Sequence, residues 1–90
     1  MNPRDAFGQM QLGGLYLLQE DPVSARPHLE RAVAHDPHLA EAHYLLGVAL
    51  EELGDRTRAR QEFQETLRLN PNHPHARFRT HSVGTGMPTN

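Results

Sequence analysis

Three prolines, Pro3, Pro37 and Pro71, fall at equal intervals, each directly after Asn2, Asp36 or Asn70. Punctuation this regular marks a copied unit, and a period of about 34 residues restricts the chain to a helix-turn-helix array. Laying Ala6–Leu39 over Ala40–His73 pairs Ala6 with Ala40, Leu12 with Leu46 and Gly13 with Gly47. It also pairs Asp21 with Asp55, Ala25 with Ala59, Arg26 with Arg60 and Pro37 with Pro71.

The second copy, Ala40–His73, reads as two amphipathic helices. Ala42, Leu46, Ala49, Leu50 and Leu53 recur at three- and four-residue steps and form one apolar stripe. Gly54 supplies a permissive backbone at the helix end, and Asp55 is placed to cap the next helix. That helix carries Ala59, Phe63, Thr66 and Leu67 on one face. Arg56, Arg58, Glu62 and Glu65 are expected towards water, with Arg58 and Glu62 spaced to pair. The first copy follows the same plan. Gln9, Leu12, Leu15 and Tyr16 are expected to face inward on its first helix, and Ala25, Leu29, Ala32 and Val33 on its second. Asp21 is its N-cap and Pro22 its first helical residue, where a missing N–H does no harm. Pro27, inside the second helix, predicts a kink or a frayed first turn.

Gly13 and Gly47 lie mid-helix, where Gly costs about 1 kcal/mol relative to Ala. The same cost at equivalent positions implies a steric demand, met by helices that approach closely there. Ala25 and Ala59 are the expected small residues opposite, with Tyr16, Leu29, Leu50 and Phe63 filling the flanks.

These positions and their period resemble the tetratricopeptide repeat, whose pattern sets Leu-Gly, Tyr, Ala, Phe, Ala and Pro at fixed offsets. The second unit supplies His43, Leu46-Gly47, Leu50, Ala59, Phe63, Thr66 and Pro71. The first supplies Gln9, Leu12-Gly13, Tyr16, Ala25, Leu29, Ala32 and Pro37. Gln9 and His43 depart from the aromatic that opens the pattern, and Thr66 from its Ala. The resemblance covers Ala6–His73 and implies an all-α solenoid of two units, four antiparallel helices, with a short cap after them. After His73 the pattern restarts with Pro74-His75-Ala76-Arg77-Phe78, then loses Leu-Gly to Thr80-His81. The expected division is a lead-in at 1–5, units at 6–39 and 40–73, a capping helix at 74–81 and a disordered tail at 82–90.

The resemblance also implies a non-catalytic protein-interaction module, without cofactor, whose first helices line a concave groove for a peptide or partner protein. Carried over position by position, the groove residues are Phe7, Met10, Gly14, Leu17 and Leu18 in the first unit. In the second they are Glu41, Tyr44, Val48, Glu51 and Glu52. One end is then apolar with a gap at Gly14 and the other acidic around Tyr44, which suits a basic or amphipathic peptide. A subclass of the family clamps acidic chaperone tails with Lys and Asn. Met10, Gly14 and Leu45 stand at those places here, so that ligand is not expected.

Composition narrows the remaining choices. A net charge of −2 without a basic block gives no footprint for nucleic acid. The longest apolar run, Leu15–Leu18, is far short of a membrane span, and MNPRDAFGQMQ shows no secretory pattern. The expected location is therefore the cytoplasm. Nine Arg with no Lys and no Ile point to a GC-rich, bacterial coding sequence. The histidines His28, His35, His38, His43, His73, His75 and His81 invite a metal reading, with His73, His75 and His81 as weak chelators. None forms His-Glu-x-x-His and there is no Cys, so helix-end histidines without a resident metal are the expectation. Ser24 and Ser82 lack nucleophile surroundings, and Glu51 and Glu52, adjacent on a helix, point apart and form no acid/base pair. Finally, two units and a cap fall short of the roughly three that stable arrays need. Phe7, Met10 and Leu15–Leu18 are thus open to a second copy in a homodimer, another protein, or more units of a longer array.

Overall fold

Helix boundaries here are set by a few capping devices, each used twice at the repeat interval. The computed structural model describes residues 3–85, and the side chains of 5–79. The chain is an all-helical solenoid of α1 (Pro3–Leu18), α2 (Pro22–His35), α3 (Ala40–Glu52), α4 (Arg56–Leu69) and α5 (Pro74–Thr85), with no strand among the described residues.

The second helix of each unit opens on an aspartate cap. Asp21 accepts from the Ser24 N–H and Asp55 from the Arg58 N–H, both at 3.1 Å. Asp36 and Asn70 close those helices with the same backbone, φ −140° and ψ 89°. The following proline drives them out of the helical region. Their side chains then accept from the N–H groups of His38 and Asn72 at 3.1 and 3.2 Å. Within each unit the turn is a Schellman closure: Asp21 N–H bonds Tyr16 C=O and Asp55 N–H bonds Leu50 C=O, both at 2.9 Å. The left-handed residue it requires is Gly54 (φ 93°) in one unit and Glu20 (φ 59°) in the other.

Three boundary expectations need correction. The first turn of α2 is closed by Ala25 N–H on Asp21 C=O, and the helix runs on through exposed Pro27, so of the kink or frayed turn expected there the frayed turn is ruled out. The carbonyl that Pro27 orphans belongs to exposed Val23, where water can satisfy it. Helix α1 begins at Pro3, inside the expected lead-in. Helix α5 runs to Thr85, past the expected end at 81, so 82–85 are helical rather than tail, while 86–90 lie outside the described residues. Loss of the apolar stripe removes packing but not the backbone ladder; Thr, His, Ser and Val each cost under about 0.7 kcal/mol in a helix and Gly84 about 1.

Packing joins α1 to α2, α3 to α4, α2 to α3, α4 to α5, and α1 to α3. The main core comprises Ala25, Leu29, Leu46, Val48, Ala49, Leu50, Ala59 and Phe63. A Cβ on Gly13 would lie 2.4 Å from Leu29 Cγ, and one on Gly47 2.5 Å from Phe63 Cε1. The close approach is therefore real, but it is Leu29 and Phe63 that lie across the glycines, where Ala25 and Ala59 were expected. Leu12 and Leu15 also differ from expectation, at 38% and 54% exposed. Leu46, the counterpart of Leu12, is buried in a cluster with Ala25 and Leu29 of α2. Among the described residues no helix takes the place of α2 beside α1, so the same residue type stays open.

The turn at Glu20 yields a stability prediction. A non-Gly residue in the left-handed region costs roughly 1–2 kcal/mol, partly offset by the greater freedom of unfolded Gly. Glu20→Gly is expected to stabilise the chain by about 1 kcal/mol in urea unfolding, and Gly54→Ala to destabilise it by a similar amount.

Candidate functional site

Because α1 and α3 are the first helices of their units, they lie side by side and leave a groove between them, with Arg79 of α5 also on its lining. It encloses about 550 Å³. Leu17, Leu45 and Val48 provide apolar walls, Gly14 a gap, and Leu15 and Leu18 an open apolar edge. Gln11, Tyr44, Glu52 and Arg79 supply the polar groups.

Gly14, Leu17, Leu18, Tyr44, Val48 and Glu52, of the residues expected in a groove, come together here. Met10 does not: it is 7% exposed and packs with Ala32 and Ala42 in a second core cluster. Phe7 is exposed but lies off the groove. Glu41 turns to His73, whose Nε2 lies 2.8 Å from its Oε1. Glu51 is taken by Arg79 in an ion pair. The end expected to be acidic is thus partly neutralised, by Arg79 on Glu51, while Glu41 accepts a hydrogen bond from His73 and Glu52 lines the groove without an ion pair among the described residues. Sequence reasoning left Gln11 and Leu45 out of the groove, although helical spacing puts them beside Gly14 and Val48. Nothing in the spacing joins Arg79 to Glu51 or brings it to the groove.

Tyr44 lies where α3 meets the segment that carries His73 and Arg79. Its ring packs 5.8 Å from Phe63 and 4.8 Å from His73, centroid to centroid, and the Arg79 guanidinium lies 6.0 Å from its centre. His75, Phe78, Glu51, Tyr44 and Arg79 line a neighbouring hollow of about 270 Å³. On the far side of α1, Leu12, Leu15, Tyr16 and Gln19 line another of about 250 Å³.

Behind the groove, one hydrogen bond recurs at the repeat interval with its partners changed. In the first unit His28 Nδ1–H donates to Gln9 Oε1 at 2.8 Å, its ring stacked on Tyr16. In the second, His43 Nδ1 lies 2.7 Å from Glu62 Oε1, and His43 Nε2–H donates to the Pro37 carbonyl at 2.8 Å. Both ring nitrogens of His43 face acceptors, which suits the doubly protonated ring. Burial works against that charge, but the hydrogen bonds to Glu62 and Pro37 and the charges of Glu62 and Glu65 outweigh it and raise its pKa. Glu62 therefore points inward, and Arg58 reaches Glu30 of α2 at 3.9 Å instead of the expected Glu62. His73 also accepts the Ala76 N–H at Nδ1, 3.1 Å away, so both its nitrogens are engaged. Among the described residues no three His, Asp or Glu side chains converge as metal ligands, and the His81 side chain lies outside them. No described helix is long and apolar enough to cross a membrane.

A tetratricopeptide repeat family model matches residues 16–79. No curated protein matches the chain. Solved structures similar to it include two of a MamA protein. MamA 41-end from Desulfovibrio magneticus RS-1 shares 32% identity with a TM-score of 0.78 over 88% of this chain and 45% of that one. The MamA RS-1 ArsTM double mutant shares 32% identity with a TM-score of 0.77 over 88% and 44%. The chain thus spans less than half the length of either structure.

The His43 site predicts a pH dependence of known sign. A folded pKa raised above the unfolded 6.5 gives stability that is fully present below pH 6.5 and is lost as pH rises through the folded value. Urea midpoints measured across that window should fall with rising pH in the wild type. His43→Gln, which copies position 9, should flatten the dependence.

Proposed function

We propose that this chain, which belongs to the tetratricopeptide repeat family, binds a peptide or a segment of a partner protein in the groove between α1 and α3. At the coarser level, the family and the two similar structures make it a protein-interaction module. The observation that carries the finer reading is the groove itself: an open apolar trough of about 550 Å³ with Gly14 at its edge and a few polar groups at one end. Such sites take apolar anchor side chains and use the polar groups to orient them. The carboxylates beside it support a non-catalytic role, since Glu51 and Glu41 are held by Arg79 and His73 rather than aimed at one reacting point.

A second reading, assembly with another copy, is favoured by the outer flank of α1. Phe7, Leu12, Leu15 and Leu18 are 51%, 38%, 54% and 82% exposed, more apolar surface than one helix of a monomer usually leaves open. Leu15 and Leu18 belong to both this flank and the groove edge. Association through the flank would therefore narrow the groove, and the two readings compete for the same side chains.

Both can be tested without disturbing the core. A Cβ on Gly14 meets only Leu45 Cδ1, at an ordinary 3.5 Å. Gly14→Phe should therefore fill the trough, keep or raise the melting temperature, and weaken peptides selected on the wild type at least about tenfold. Unchanged affinity would place the binding site elsewhere. For assembly, light scattering over a concentration series should show a dimer that Leu12→Glu returns to monomer; a wild-type monomer throughout removes this reading.

A further inference from the structure

We infer that the groove is selective for peptides carrying a basic side chain next to an apolar anchor, with Glu52 as the residue that reads the charge. This rests on the groove reading above.

The first argument is the helix ends. Helices α1 and α3 run the same way, and their last residues, Leu18 and Glu52, occupy equivalent places in the two units and both line the groove. Both negative dipole ends therefore meet at one end of the trough. Neither helix carries a basic residue in its last turn, whereas α2 ends with His35 and α4 with Arg68. Helix α4, behind the groove, has a permanent positive charge at its C-terminus; the two helices that form the groove have none.

The second argument is the charge left at that end. Glu51 and Arg79 cancel as an ion pair, and Glu52 makes none among the described residues, so one negative charge remains beside the apolar walls. Arg79 also shows how a guanidinium is received here: paired to a carboxylate and 6.0 Å from the centre of the Tyr44 ring. A partner whose apolar side chains rest on Leu17, Leu45 and Val48 would bring its own cation to Glu52.

The test uses two synthetic peptides of about 12 residues with identical leucine positions, one with arginines between them and one with glutamates. Affinities are measured by fluorescence anisotropy on the full chain, with amide shifts of Leu17, Leu45 and Val48 reporting the site. The arginine peptide should bind about tenfold more tightly at low salt. Glu52→Gln should remove most of that preference and Glu52→Arg should invert it. Arg79→Ala, which frees Glu51, should strengthen the arginine peptide severalfold. If both peptides shift the groove amides with equal affinity, the charge selectivity is overturned while the groove stands. A preference that survives Glu52→Arg overturns the role of Glu52. If neither peptide moves those amides, both readings fall together.

Discussion

A Cβ placed on Gly47 would lie 2.5 Å from Phe63 Cε1, and one on Gly13 2.4 Å from Leu29 Cγ. No side chain fits either gap, so the two helices of each unit are closer than any other residue would allow. The glycine costs about 1 kcal/mol in mid-helix, while fully burying a Leu or Phe returns roughly 1.5–3 kcal/mol. Leu29 and Phe63 have no exposed surface, so the exchange favours the close pair. The rest follows from that distance. With α1 held down on α2 and α3 on α4, the first helices share one side of the molecule, and the space between them becomes the groove.

Around those contacts the chain repeats its polar bonds as faithfully as its apolar ones. The aspartate caps, the Asp36 and Asn70 turns and the Schellman closures recur with lengths matching to about 0.1 Å. The link between the helices of a unit recurs as a position but not as a chemistry. In the first unit His28 meets the uncharged amide of Gln9, whereas in the second His43 meets the carboxylate of Glu62, which favours a charged ring. A charge-assisted bond of this kind is worth about 1.5–3 kcal/mol against about 1 for a neutral one. The second unit is therefore held more firmly, but by a bond that depends on pH.

Much of the fold was legible because it is written in residue types with local consequences. Asp before a helix, Asn or Asp before Pro, and Gly at equal intervals each dictate backbone within a few residues. What was not legible depends on which element lies alongside. Leu12 and Leu46 are the same residue in the same register, yet α2 covers one and none of the described helices covers the other. Met10, expected in the groove, falls into the core beside Ala32 and Ala42 because the helices converge there. The Arg79–Glu51 pair joins α5 to α3 across 28 positions, a separation that no periodicity announces. The length of α5 escaped because an apolar stripe reports packing, and a terminal helix needs only its own backbone bonds.

The unequal treatment of helix ends is hard to explain as chance drift toward stability. Placing one Arg in the last turn of α1 or α3 would add about 0.3–1 kcal/mol at an exposed end, a sizeable gain for a chain with so few units. The chain has such a residue in α4, and in α5 one of its two arginines, Arg79, answers Glu51. Here two helix ends without a basic residue, the carboxylate of Glu52, which makes no ion pair among the described residues, and the apolar walls all meet at the same trough. Strain elsewhere, such as Glu20 in the left-handed turn directly after Leu18, sits at that same end. The cheapest partner for this combination is one that brings both an apolar side chain and a positive charge.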